Sequence, residues 1–292
     1  MYFINPKIDF AFKKIFGSEQ SKDILISFLN AILYEEQEVI QDIQIIDPYL
    51  APKIRGMKDT YLDVQAKLAD QSTVIIEMQV LNVEGFEKRI LYNAAKAYSL
   101  QLGEGHDYTL LNPVIALTIT DFVMFKSVDK LLTRFTLKDK SYLIDYPIND
   151  LELVFVELPK FDKSLEELSS ITDKWLFFLK NAHKLQAIPE NIEQIPPLHQ
   201  AFKLANRANL TLEELDALER REIFLQDWHG AIKKAVKDAS QEAHEQGLKV
   251  GRQEREVEIA RNLLDILDDE TISHRTGLSL DEVRKLRKIE RE

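Results

Sequence analysis

The stretch from Tyr61 to Leu81 constrains this chain most. Two runs of strand-forming residues, Tyr61 to Leu68 and Thr73 to Leu81, stand on either side of a short polar break, Ala69, Asp70, Gln71 and Ser72, which is the pattern of a β-hairpin. Each run carries a carboxylate in its interior, Asp63 in the first and Glu77 in the second. A carboxylate within an apolar strand is costly to bury unless it is paired or binds a metal. Because side chains alternate along a strand, Glu77 and Gln79 share one face, and Ile76, Met78 and Val80 share the other. Loop length then decides whether the two acids meet. Asp63 opposes Glu77 only across a loop with an odd number of residues, such as Ala69, Asp70 and Gln71. A two-residue Asp70-Gln71 turn would oppose Asp63 to Met78 and send Glu77 to the other face.

Around this hairpin the pattern alternates between helix and strand. Asn5-Pro6 opens a short helix that Gly17 stops. Ser21 is placed to cap a second helix in which Ile24, Leu25, Phe28, Leu29 and Ile32 recur at helical spacing. Val39 to Ile46 is a further strand, Phe86 to Leu102 a helix, Pro113 to Thr120 a strand buried on both faces, and Leu151 to Leu158 another strand. This order predicts an α/β fold, a mixed sheet flanked by helices. From Ser164 onward helix follows helix, with capping boxes at Thr211 to Glu214 and Ser279 to Glu282. The charged stretch Ala231 to Arg261 reads as a helix interrupted at Gly247 and Gly251, and Asp269 to Lys288 as two short helices around Gly277. The divisions expected are residues 1–160, 161–228 and 229–292.

Composition narrows the chemistry. With 292 residues, 45% hydrophobic and 30% charged, the chain has the balance of a folded, soluble protein. There is no cysteine, which excludes disulfides, thiolate zinc sites and cysteine nucleophiles. No apolar run approaches the roughly 20 residues that span a bilayer, so the expectation is no membrane and a cytoplasmic location. The net charge of -11 argues against a surface that coats nucleic acid, while leaving room for a local basic groove. Nucleotide-cradling glycine loops and serine-hydrolase elbows are absent from the sequence, and the six histidines are scattered.

Asp63 and Glu77 therefore stand out. Two carboxylates on adjacent strands suit a hard cation such as Mg2+ or Mn2+. The competing interpretation is a solvated sheet face, with these acids salt-bridged to Lys67 or Arg89. Lys13 has a similar alternative, a pair with Asp9 one helical turn away. On the helix after the hairpin, Arg89, Tyr92, Asn93 and Lys96 share a face, which could touch phosphates or simply be solvated.

The N-terminal segment with Asn5, Pro6, Asp9, Phe12, Lys13, Phe16 and Gly17, the Asp63 strand, the Glu77-Met78-Gln79 strand, and the helix with Arg89, Tyr92 and Tyr98 together resemble the recombination-promoting nuclease family of the PD-(D/E)xK superfamily. The resemblance covers roughly residues 1–160, and the charged helix with Gly247 and Gly251 is similar to the C-terminal end of such proteins. It implies a restriction-endonuclease-like core with a mainly helical C-terminal region. It also implies a Mg2+- or Mn2+-dependent endonuclease that hydrolyses DNA phosphodiester bonds and promotes recombination. By the same resemblance Asp63 and Glu77 hold the metal, the carbonyl of Met78 is a further ligand, and Asp9 reaches the metal through water. Gln79 stands where the superfamily pattern has lysine, and Lys13 or Lys14 would supply the missing charge. Arg89 and Tyr92 would contact DNA, and the C-terminal helices would form a homo-oligomer. The alternative is a catalytically silent DNA-binding or assembly protein that keeps the fold.

Overall fold

A computed structural model describes residues 2–50 and 60–290. The described chain divides into two compact units, residues 1–222 and 223–292.

The first unit is built on a six-stranded mixed sheet. Its strands are β1 (Ile43–Ile46), β4 (Val64–Leu68), β5 (Thr73–Gln79), β6 (Val114–Thr120), β7 (Leu132–Phe135) and β8 (Leu151–Glu157), and β2 (Tyr49–Leu50) with β3 (Thr60–Tyr61) forms a separate two-stranded ribbon. The order across the main sheet is β1-β4-β5-β6-β8-β7. β5, β6 and β8 run parallel, and the outer pairs are antiparallel. Parallel neighbours need a crossover, and helix α3 (Phe86–Ser99) supplies the one between β5 and β6. The near-unbroken apolar run of β6 fits its central position, where both faces are covered. Strand β7 has no local signal in the sequence: Leu132 to Phe135 is too short and mixed to show a period, and pairing with β8 is what makes it a strand.

Helices cover the sheet. Helix α1 (Asp9–Phe16) buries Ala11, Phe12, Ile15 and Phe16, and α2 (Lys22–Leu33) buries Ile24, Leu25, Phe28, Leu29 and Ile32. Their aromatic rings join those of α4 (Ile171–Asn181) and α6 (Pro196–Ala205). Phe16, Phe28 and Trp175 lie 5.0 to 5.9 Å apart, and Phe178 meets Phe202 at 4.8 Å. Between α4 and α6 lies the single turn α5 (Glu190–Glu193).

Two expected helix starts move. Helix α1 begins at Asp9 rather than at Pro6, because Asn5 Oδ1 takes the amide of Lys7 and Ile8 is extended. Ser21 does not cap α2; its hydroxyl bonds Ser18 at 2.7 Å and a short 3-10 turn leads straight into the helix. Gly17 does stop α1, and a Cβ there would lie 2.7 Å from the Lys13 carbonyl oxygen.

Helix α7 (Leu212–Leu263) starts at the Thr211-Glu214 capping box, in which the Glu214 amide donates to Thr211 Oγ1 and the Thr211 amide to Glu214. The interruptions expected at Gly247 and Gly251 do not occur. Each mid-helix glycine costs only about 1 kcal/mol against alanine, which a 52-residue helix absorbs. In the second unit α8 (Asp269–Thr276) and α9 (Leu280–Ile289) fold onto the end of α7 around Ala260, Leu264, Ile272, Leu278 and Val283. Gly277 makes their turn with φ of 83°, a backbone conformation that favours glycine.

Candidate metal and phosphate site

The β4-β5 hairpin closes through a three-residue loop. The Leu68 amide donates to the Ser72 carbonyl, and Ala69, Asp70 and Gln71 lie between, with Gln71 in the left-handed region at φ of 71°. The Asp70 carboxylate accepts the Ser72 amide and hydroxyl, which holds the turn. Val64 consequently pairs with Ile76, and one step further out Asp63 faces Glu77. This is the odd-loop alternative, and it brings the two acids to one side.

Both line a cavity of about 780 Å³. They are mostly buried, with side-chain exposures of 14% for Asp63 and 12% for Glu77. Asp63 Oδ2 accepts the Met78 amide at 2.8 Å, and Lys13 Nζ lies 3.3 Å from Asp63 Oδ1. Glu77 Oε1 accepts the side-chain amide of Asn93, and Arg89 Nη2 lies 3.8 Å from Glu77 Oε2. Burial pushes both carboxyls above their ordinary pKa. For Asp63 the Met78 amide and Lys13 oppose that rise, and for Glu77 Arg89 and Asn93 do. The negative charge of each acid's neighbours reinforces it, Asp9 acting on Asp63 and Asp63 on Glu77. The two acids are thus held at close quarters by their register, and Lys13, Arg89 and the hydrogen bonds offset only part of what burial costs their charged forms.

The remaining candidates fall around this pair. Gln79 Oε1 accepts Arg89 Nη2 at 2.6 Å and its amide donates to the Leu81 carbonyl, so the neutral residue at the lysine position of the motif holds a guanidinium beside Glu77. Asp9 and Lys13 line the cavity, but the one-turn pair between them is replaced. Asp9 Oδ1 meets Arg221 Nε at 3.1 Å, and Lys13 meets Asp63. Lys14 points elsewhere, to Glu214 at 2.5 Å. Tyr92 is on the rim, 38% exposed.

Lys96 does not lie on a solvated face. It is buried, with Nζ 3.3 Å from Thr60 Oγ1 and 5.8 Å from the centre of the Tyr92 ring. Burial of its methylene stem is favourable, and the ammonium keeps a polar partner. Asn93, on the helix face expected either to touch phosphates or to be solvated, is likewise buried, and it donates to Glu77. Tyr98 bonds Asp150, which pushes its hydroxyl up to about 12 and ties α3 to the loop before β8.

Lys88, Tyr61 and Arg221 also line the cavity and were not singled out from sequence. Lys88 adjoins Arg89 and could have been added to the helix face. Nothing local in the sequence marks Arg221, which lies more than 200 residues from Asp9.

Two buried carboxylates side by side, whose charged forms are disfavoured by burial and by neighbouring acids, fit a hard divalent cation, whose other ligands are carbonyl, water or phosphate oxygens. Among the described residues no group of three or more His, Asp or Glu side chains is arranged to hold a metal, so such an ion would rest on this pair and on non-side-chain oxygens. Residues 6–235 match the family model of the PD-(D/E)XK nuclease family transposases. No curated protein and no solved structure matches the chain.

Proposed function

The chain belongs to the PD-(D/E)XK nuclease family transposases, and on that premise we propose that it is a Mg2+- or Mn2+-dependent DNA endonuclease that hydrolyses phosphodiester bonds and, by cutting, promotes recombination. The nuclease or transposase-like character follows from the family. The observation that carries the finer reading is the facing pair Asp63 and Glu77, buried together with the cost of their charged forms only partly offset.

In this proposal Asp63, Glu77 and the carbonyl of Met78 would hold the cation. When bound, the ion would acidify water and offset charge on the phosphate. The chain's own residues do the rest. Asn93 fixes the orientation of Glu77 by donating to it. Lys13 brings an ammonium to the site, a charge that Gln79 lacks and that developing negative charge requires. Gln79 acts by holding Arg89, which with Tyr92 contacts the DNA backbone. Asp9 stays outside the donor set, since its carboxylate is engaged by Arg221.

The test is cleavage of plasmid DNA across a titration of Mg2+ and Mn2+, on wild type and Asp63→Ala. Wild type should cut only with metal and stop on EDTA, and the variant should not cut. Metal-independent cutting, or wild-type rates from Asp63→Ala, would overturn the assignment.

The C-terminal helices are proposed to form a homo-oligomer. Phe224 and Trp228 stack 6.1 Å apart on α7 and both are partly exposed, as are Ile223, Ile232 and Val236. A chain truncated after Leu225 should then have monomer mass where the full chain does not. No helix among the described residues is long and apolar enough to cross a membrane, and the proposed setting is the cytoplasm.

A further inference from the structure

Asp9 and Lys13 are one turn apart on α1, with the acid on the N-terminal side. That is the better orientation for an ion pair within a helix, so Lys13 has a partner on its own helix. It is found instead on Asp63, at 3.3 Å, while Asp9 Oδ1 forms an ion pair with Arg221 Nε at 3.1 Å. Asp9 is further fixed by the Phe10 amide, 2.9 Å from the same Oδ1. On α7, Arg221 follows Glu214 by seven residues, two turns on the same face. Glu214 takes Lys14 at 2.5 Å while its carboxylate also accepts the Thr211 amide. The first turns of α7 therefore grip α1 at two charged points, one on each side of Lys13 in sequence.

We propose that Arg221 is a positioning residue: by holding Asp9 it leaves Lys13 to Asp63 and so places an ammonium at the metal and phosphate site. The proposal rests on the nuclease reading for the importance of Lys13, but the partner choice of Lys13 is a structural matter that stands apart from it. It assigns the first turns of α7, remote from α1 in sequence, to the working site. Without Arg221, Asp9 is free to recapture Lys13, and the site loses the charge that Gln79 does not provide. The competition is specific to one acid, so removing that acid should undo the loss.

The experiment uses the full chain carrying Arg221→Ala, Arg221→Lys, or Arg221→Ala with Asp9→Asn, with cleavage kinetics in Mg2+ and a crystal structure of Arg221→Ala grown without metal. Arg221→Ala should lower kcat by about 10- to 100-fold, the range for groups that act through a residue at the site. Arg221→Lys should recover part of this. Adding Asp9→Asn to Arg221→Ala should recover most of it, and in the Arg221→Ala crystal Lys13 Nζ should lie against Asp9. If the double variant is no faster than Arg221→Ala, or if Lys13 stays on Asp63 in the crystal, the proposal fails. A rise in KM alone would also overturn it, since that marks Arg221 as a direct DNA contact. Should Arg221→Ala not fold, Arg221→Gln replaces it in every arm. If wild type does not cut DNA, the nuclease reading falls, and the crystal still decides which partner Lys13 takes.

Discussion

Two glutamates near the C-terminal ends of parallel strands, Glu77 on β5 and Glu157 on β8, are both withdrawn from solvent and have opposite surroundings. Glu157 is fully buried. Its Oε1 accepts the backbone amides of Met124 and Phe125, and its Oε2 pairs with Lys160, which also donates to the carbonyls of Phe125 and Val128. Every charge there has a partner, and the network staples the loop after β6 to the sheet. Glu77 has one side-chain amide, a guanidinium at 3.8 Å and the field of Lys13, with a second carboxylate for a neighbour. Burial of an acid therefore does not by itself mark a site. Burial beside a second acid, with the cost of the charged forms not fully offset, does, because a cation would offset the rest.

The comparison breaks most directly by exchanging each acid for its amide. Glu77→Gln should lower cleavage by more than the roughly 100-fold typical of groups outside the direct ligand set, while far-UV circular dichroism stays that of wild type. Glu157→Gln should leave the rate per folded molecule unchanged. If Glu157→Gln in folded protein cuts as poorly as Glu77→Gln, the distinction between the two acids is wrong.

Stability should sort the pair the other way. Glu157→Ala strands Lys160 and two amides in the interior, and breaking a buried pair costs about 3–5 kcal/mol. At roughly 2–4 °C per kcal/mol for a domain of this size, calorimetry should record a Tm about 10 °C lower. A fall of under about 2 °C, by the same conversion, would mean that the network contributes little.

The smallest effect sharpens the assignment at Asp63. Its carboxyl is raised above the ordinary value by burial, so its ionised form is less favourable folded than unfolded. The associated stability is present below the ordinary carboxylate range and is lost as pH rises through the raised value. Asp63→Asn should therefore raise Tm by a few degrees (about 2–4 °C per kcal/mol) at neutral pH in EDTA. The gain should vanish below about pH 3.9, where the acid is protonated in both states. Adding Mg2+ should raise the Tm of wild type and not of the variant. A variant less stable than wild type at neutral pH in EDTA would show that Lys13 and the Met78 amide already outweigh the burial of the charge.

The sequence by itself determined a good deal. Alternation along Thr73 to Gln79 put Glu77 and Gln79 on one face, the capping boxes at Thr211 and Ser279 marked their helix starts, and the hairpin reduced the meeting of Asp63 and Glu77 to the parity of one loop. Family resemblance led to the α/β nuclease fold, and the family match agrees. These are short-range properties, set by residues within one or two turns or one hairpin of each other. Tertiary structure alone decided the rest. It chose the three-residue loop, buried Lys96, recruited Leu132 to Phe135 as an edge strand, and carried α7 through Gly247 and Gly251. It also gave Asp9 to Arg221 and Lys13 to Asp63. The physical reason is that a charged side chain takes whichever counter-charge the packed elements bring nearest. On α1 that choice lay between a residue four positions away and others 50 and 212 positions away, a contest that local spacing does not settle.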